Sequence, residues 1–285
     1  MHDNPRIYIS DTTNPFHNLA AEECVLDSGC FPALIVYENS ASVVLGKNQN
    51  PWVECSHDVI AGRSIPLLRR ISGGGTVVHG PGNLNIGFIV SRGGFERKRQ
   101  LSMVTMALSR VGIHARFTDR GDIYVAGRKV SGNAMCYRRD RVLHHATLLV
   151  NADLSHLLPA IRPPGLAIRT TAIASQRAEV VNLSSFAPHL DTETASQLIV
   201  SEYMNVYPDA VRVPWPDASE PCVQERREKH YNWEWVFGRT PRFEYCVSED
   251  ARVAVASGLI QSVTDEDICS KHGFHIGERF DPKAG

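Results

Sequence analysis

Arg69-Arg70-Ile71-Ser72-Gly73-Gly74-Gly75-Thr76-Val77-Val78-His79 sets three consecutive glycines between an arginine pair and an apolar, strand-like run. Glycine lets a backbone turn sharply and approach a ligand closely. Backbone N–H groups in such a loop can cradle an anion. The Arg70 guanidinium adds planar charged donors suited to phosphate or carboxylate. The physical reading is a loop that clamps a phosphate-bearing ligand; a plain flexible turn is the alternative. Two better-known phosphate loops are excluded, because there is no G-x-x-x-x-G-K-[ST] and no G-x-G-x-x-G opening a helix.

A second segment, Gly121 to Ala134, reads as a strand, a tight turn, then a lysine followed by small residues. Lys129 there can meet a phosphate and a carboxylate at once; a solvated hairpin lysine is the alternative. Asp122 is the candidate ligand for a Mg²⁺ held otherwise by phosphates and waters, or an ordinary turn aspartate. Asn133 either orients ligand oxygens or closes a turn. His144 and His145 are neighbours on a strand and so point to opposite faces, which argues against one shared metal ion.

Outward from these loops the pattern is mixed. Arg6 to Ser10 reads as a strand, and Phe16 to Leu26 as a helix with Asn14 as N-cap and Pro15 in its first position. Leu34–Tyr37 and Ser42–Leu45 read as strands around an Asn39-Ser40 turn. Leu84, Ile86, Phe88 and Val90 share one face of a strand. Leu101–Val111 and Thr192–Tyr207 have helical spacing, and Val142–Val150 reads as a strand. Val211–Pro221, with three prolines, reads as a loop or linker. Trp233, Trp235 and Phe237 alternate as in a strand and pack the C-terminal part onto the core. Strands without regular crossover helices imply an α+β fold, a mixed β-sheet with packed helices.

Composition narrows the class. A hydrophobic share of 43% and a charged share of 21% describe an ordinary globular chain. A net charge of −1 gives no global field for nucleic acid. No signal peptide or membrane-length apolar run is seen. Seven scattered cysteines without a C-x-x-C pair read as free thiols in a reducing cytoplasm.

Taken in order, Asn18–Glu23, Val43–Pro51, Arg69–Gly75, Gly82–Asn85, Lys129–Ala134, His144–Leu149 and Trp233–Trp235 resemble the lipoate–protein ligase family of the biotin/lipoate ligase superfamily. The resemblance runs from Ile7 to about Phe243. It implies a catalytic domain over 1–240 and a partial accessory tail over 241–285. It also implies a two-step reaction: lipoate and ATP, with Mg²⁺, give lipoyl-adenylate, and the lipoyl group passes to a lysine of an acceptor lipoyl domain. That acceptor is a 2-oxoacid dehydrogenase component, a glycine-cleavage H protein or another lipoate carrier. Carried over by position, Lys129 is catalytic. Arg70, Gly75, Thr76, Val77, Val78 and Lys129 hold the adenylate. Gly73, Gly74, His79, Asn83, Lys129, Ser131, Gly132 and His145 line the lipoate site. Plainer structural roles stay open for His79, packed at a strand end, and for Asn83, in a turn.

Two departures point to a variant that uses preformed lipoyl-adenylate or needs a separate accessory ligase subunit. The loop Ala167–Ser175 lacks the family's lysine-glycine step, and the accessory region is short. An octanoyl or lipoyl amidotransferase acting through a cysteine is a further alternative, with Cys136 as its only nearby thiol. A binding module that kept the fold without the chemistry is another, as is biotin ligation, although the G-R-G-R-x-G loop of biotin ligases is absent.

Overall fold

Asn83–Ser91 is the strand around which one half of the chain is built. The computed structural model describes residues 4–163 and 165–282. This strand pairs antiparallel with Ala33–Glu38 on one side and with Arg141–Leu149 on the other. The full six-stranded sheet runs Asn133–Tyr137, Arg141–Leu149, Asn83–Ser91, Ala33–Glu38, Arg6–Ile9, Val211–Val213, the last two pairings being parallel. Period-2 alternation gives the central strand two different faces. Leu84, Ile86 and Phe88 join Met103, Val104 and Leu108 of the helix Arg97–Ser109, and Ile199 and Tyr203 of the helix Thr192–Val206, in one apolar core. The opposite face carries Asn83, Asn85 and Gly87, all in the buried interior.

The helix Pro15–Ser28 belongs to the same unit. Asn14 accepts hydrogen bonds from the Phe16 and His17 N–H groups, Pro15 opens the first turn, and Gly29 at φ 81° ends it. The helix buries Asn18, Glu22 and Glu23 as well as Leu19, Val25 and Leu26. With His17, the helix hides four polar side chains, more than packing alone calls for.

The chain forms two compact units, residues 4–42, 79–157 and 177–227 in one, and 43–78, 158–176 and 228–282 in the other. In the first, a small sheet adds Arg116–Phe117, Ile123–Val125 and Arg128–Ser131. Its tight turn places Ala126 and Gly127 at φ 48° and 79°, the left-handed pair of a two-residue hairpin. In the second, Leu67–Arg69, Ser42–Leu45 and Val77–His79 form a three-stranded sheet. An antiparallel sheet joins Ile168–Thr170, Phe243–Cys246, Arg252–Ala256 and Leu259–Val263. Trp52, Phe243, Phe274 and Phe280 fill its core, with the Trp52 ring 5.2 Å from Phe243 and 5.3 Å from Phe280.

Four expectations are corrected. The strands flanking Asn39-Ser40 form but do not pair with each other: they belong to different sheets. Val211–Val213, expected in a loop, pairs with Arg6–Tyr8 at the sheet edge, and Pro221 begins a helix to Tyr231. An edge position tolerates the following prolines because no further ladder is needed. Trp233–Val236 is a helical turn, not a strand; Trp233 stacks on Phe237 one turn later, with ring centroids 5.8 Å apart. Finally, not all the cysteines are thiols, since Cys24 and Cys222 form a disulfide across 198 residues of sequence. Spacing motifs report only local pairs, so the fold had to bring these two together.

Arg69 is fully buried, and its guanidinium donates to five backbone carbonyl contacts and one hydroxyl. Nε and Nη2 reach the Val236 oxygen at 2.8 and 2.6 Å, and Nη1 reaches those of Gly46, Lys47 and Gln49 at 3.0, 3.1 and 2.8 Å. Nη2 also meets Thr240 Oγ1. Arg69→Met is expected to strand these acceptors and lower stability by about 3 kcal/mol or more; urea unfolding measures it. His144 gives a second expectation. Burial, with smaller effects from His145 and Arg97, lowers its pKa from 6.5 to about 3. The unfolded chain therefore takes up a proton that the native state refuses. Stability from this source is complete above pH 6.5 and declines as pH falls toward 3. His144→Gln should flatten the stability–pH slope by up to about 1.4 kcal/mol per pH unit between about pH 4 and 6, read from unfolding midpoints.

Candidate active site

The arginine pair divides its labour. Arg69 points into the interior as described, whereas Arg70 shapes the glycine loop. Its Nη2 donates to the Gly73 and Gly75 carbonyls at 2.6 and 2.7 Å, Nη1 to the Val44 carbonyl at 3.0 Å, and Nε to Ser72 Oγ at 2.9 Å. The Gly73 and Gly75 carbonyls are thus held on one guanidinium. Gly74 has φ 84°, and the loop lies on Gly46, where an added Cβ would overlap the Gly74 carbonyl oxygen. The Lys47 N–H donates to the Ser72 carbonyl at 2.8 Å and completes the contact.

Three residues outside the expected set hold the end of this loop. Gln49 Oε1 accepts from the Gly46 N–H and from Thr76 Oγ1, at 3.0 and 2.8 Å. Its Nε2 donates to Ser175 Oγ at 2.9 Å, and the Thr76 N–H donates to the same oxygen at 2.9 Å. Ser175 Oγ in turn donates to Glu54 Oε2, and the Ser175 N–H to Glu54 Oε1. Ser175 is more than a hundred residues from Gln49 and Glu54 in sequence; Gln49 and Ser175 lay in noted segments, Glu54 in none. Gly73 to Val78 thus form one structured ribbon in this unit.

In the other unit, Lys129 Nζ lies 2.9 Å from Asp122 Oδ2, with both side chains largely shielded. The Lys129 N–H donates to the Glu179 carbonyl at 2.9 Å and its own carbonyl accepts from the Val181 N–H at 3.0 Å, so the backbone is fixed on both sides. The ammonium passes over Gly132: a Cβ there would sit 3.3 Å from both Cε and Nζ. Asp122 is therefore placed as the charge partner of Lys129. Among the described residues no group of three or more His, Cys, Asp or Glu is arranged to hold a metal. One carboxylate suits a Mg²⁺ bound mainly through phosphates and water.

The polar face of the central sheet gathers the remaining candidates. His145 Nδ1 lies 3.0 Å from Glu22 Oε1, and the Tyr37 hydroxyl donates to Glu22 Oε2 at 3.2 Å. Glu22 and Tyr37 carried no assignment; Glu22 was legible in the Asn18–Glu23 motif, one turn beyond Asn18. His144, on the opposite face, lies against Asn133 Oδ1 at 3.2 Å and the Phe95 ring at 5.9 Å. His79 is buried, and its Nδ1 accepts from Asn39 Nδ2 at 2.9 Å. Asn83 and Ser131 are interior, and among the described residues neither the Asn83 amide nor the Ser131 hydroxyl finds a hydrogen-bond partner. Buried polar groups of this kind call for a polar partner from elsewhere. Cys136 is buried on its strand.

Gly132→Ala should push the Lys129 ammonium by a few tenths of an ångström. The expected outcome is a loss of turnover of about tenfold with the melting temperature little changed, a displacement effect of the kind that positioned charges show. Steady-state kinetics and calorimetry on the same preparation check it.

The model of the lipoyl protein ligase A/B catalytic domain matches residues 14–204. A lipoate-protein ligase A of Psychrobacter cryohalolentis is 35% identical over 251 residues, spanning 84% of this chain and 74% of that protein. The crystal structure of P. falciparum LipL1 in complex with lipoate superposes with a TM-score of 0.75 at 23% identity, covering 92% of this chain and 84% of that one. The bi-partite lipoate protein ligase of Thermoplasma acidophilum, solved with its E2 lipoyl domain, gives a TM-score of 0.72 at 23% identity over 84% of this chain and 98% of that one. The shared fold is the α+β, biotin/lipoate ligase-like one expected from the sequence. With two thirds of its length matched by the family's model and a relative this similar, the chain belongs to the lipoyl protein ligase A/B catalytic-domain family.

Proposed function

We propose that this chain activates lipoate with ATP and transfers the lipoyl group to a lysine of an acceptor lipoyl domain. In the first step a lipoate carboxylate oxygen attacks the α-phosphorus, the bond to the bridging oxygen breaks, and pyrophosphate leaves. Two anions must approach, so fixed positive charge is needed. In the second step the acceptor amine attacks the acyl carbon, the bond to AMP breaks, and the amine gives up a proton.

The observation that carries this reading is the Lys129 ammonium, fixed by its backbone, paired to Asp122 and laid over a residue without a side chain. Lys129 is the catalytic group, neutralising the phosphate and polarising the acyl carbonyl as an oxyanion develops. We assign Arg70 and the ribbon Gly75, Thr76, Val77 and Val78 to the adenylate. Gly73, Gly74, His79, Asn83, Ser131, Gly132 and His145 are assigned to lipoate. The orphaned Asn83 and Ser131 groups fit the oxygens of an acyl ligand. Asp122 is the residue offered to Mg²⁺, which would supply charge neutralisation on the phosphates. The catalytic portion is taken as 1–240, with 241–285 as an accessory region, and the enzyme is placed in the cytoplasm, where ATP is available.

A second version, a lipoyltransferase served by preformed lipoyl-adenylate or by an accessory subunit, is favoured by the loop Ala167–Ser175, whose sequence lacks the lysine-glycine step. Pyrophosphate release from lipoate, ATP and Mg²⁺ separates the two versions, because only the first releases it unaided. Lys129→Ala is expected to cut lipoyl transfer from preformed adenylate by about 10²–10³-fold with an unchanged circular dichroism spectrum. Wild-type transfer rates in that variant, read by intact mass of the acceptor, would remove the mechanism.

A further inference from the structure

We infer that a basic face centred on Tyr137, made by residues 92–99 and 137–141, is the docking surface for an acidic acceptor domain. The inference rests on the acceptor chemistry proposed above. These two segments hold seven Arg and Lys against only Glu96 and Asp140, in a chain whose net charge is −1. The rest of the protein is therefore acidic, and the positive field is local.

The fold, not the sequence, makes one surface of the two segments. Arg141 pairs with Ser91 across the sheet, and the Arg92 N–H donates to the Asp140 carbonyl at 2.7 Å. The Arg92 guanidinium lies over the Tyr137 ring at 5.9 Å, and Phe95 meets the same ring edge-on at 6.2 Å. Tyr137 is nevertheless 52% exposed. Arg92, Lys98, Arg99, Arg138 and Arg139 are exposed as well. Neutralisation from within the chain is slight. Asp140 is taken by Arg141 at 2.9 Å, and Asp27 is shared between Arg138 at 3.4 Å and Arg226 at 2.9 Å. Among the described residues, no carboxylate pairs with Arg92, Lys98 or Arg139. A half-exposed tyrosine ringed by arginines has the composition of an interface centre.

Position connects this face to the chemistry. The strand Asn133–Tyr137 starts beside Gly132, over which Lys129 lies, and ends at the exposed tyrosine. Five residues of strand span about 17 Å. A domain of about 100 residues has a radius of gyration near 13 Å. A domain seated on Tyr137 thus has the size to present a lysine at Lys129 without leaving the face. An acidic protein fits better than nucleic acid. A pI of about 6.9 is far from that of a nucleic-acid-binding domain, and a lone exposed ring gives no stacking platform.

The test uses the full chain, an isolated acidic lipoyl domain of a 2-oxoacid dehydrogenase, and the triple variant Arg92→Glu, Arg138→Glu, Arg139→Glu. A Gln version of the triple guards against misfolding by charge reversal. Binding is titrated without ATP, and transfer is followed from preformed lipoyl-adenylate. The expected result is a rise of about tenfold or more in the acceptor Kd and KM, little change in kcat at saturation, and a wild-type affinity that falls steeply with salt where the variant's does not. Adenylate handling, read by single-turnover aminolysis with a small free amine, should be unaltered. Exchanging an acidic residue of the lipoyl domain for lysine should weaken wild type more than the variant. Unchanged binding and KM in both triples overturns the inference, as does a variant that loses aminolysis while still binding the domain, or one whose lost ligand proves to be RNA or anionic vesicles. A wild-type chain that binds the domain through this face but never acylates it would refute the proposed reaction and leave the surface standing.

Discussion

A buried guanidinium bonded to backbone carbonyls rather than to any carboxylate among the described residues organises the unit that carries the glycine ribbon. Arg69 ties the carbonyls of Gly46, Lys47 and Gln49 to that of Val236, so a turn and a distant helix close on one side chain. Burial lowers its pKa to about 10, which still leaves it charged at neutral pH. The usual objection to a buried charge is its desolvation. Here six contacts to oxygen replace the lost water, and the planar fork of Arg is what lets one group reach so many. The ribbon rests on Gly46 and Lys47, so its shape is inherited from Arg69. Arg70 then refines that shape by turning the Gly73 and Gly75 carbonyls inward. Trp235 closes the arrangement, its indole N–H donating to the Arg69 carbonyl at 2.7 Å.

The other unit solves a different problem. Its sheet has an apolar face that secures the fold and a polar face that does not need to be polar for stability. Glu22, Tyr37 and His145 satisfy one another there, which is how a carboxylate is kept inside at tolerable cost. Asn83 and Ser131 are not satisfied among the described residues. Local conflicts of this kind concentrate at functional sites.

Much of this was legible in the sequence, and the boundary between legible and hidden has physical causes. The helices at Pro15, Arg97 and Thr192 announced themselves because caps and 3.6-residue spacing act locally. The Gly121–Ala134 hairpin did so because only special backbone angles permit its turn; the Lys129–Asp122 ion pair was not read from the sequence, where Asp122 stood as a Mg²⁺ candidate. Three alternating aromatics at 233–237 misled, since so short a run satisfies period 2 while the Trp233–Phe237 stack satisfies a helical turn equally well. The prolines after Val213 masked an edge strand whose pairing depends on residues two hundred positions away. The division between Arg69 and Arg70 was not readable at all. Successive residues at a strand end point to opposite sides, and nothing in the identity of either arginine says which side is interior. Glu54, Gln49 and Ser175 were equally hidden, because a hydrogen-bond network is a property of space.

Ser175 deserves a mechanistic reading on those terms. Its hydroxyl oxygen accepts from the Thr76 N–H, one of the amides assigned to the adenylate, while donating to Glu54. An amide can serve one strong acceptor well, so an adenylate oxygen at Thr76 would compete with Ser175 directly. An anion is the better acceptor by roughly a factor of two in hydrogen-bond strength. The exchange would release Ser175 to Glu54 and Gln49, which already hold it. Lys129 is likewise held by the chain itself, its ammonium paired to Asp122 at 2.9 Å.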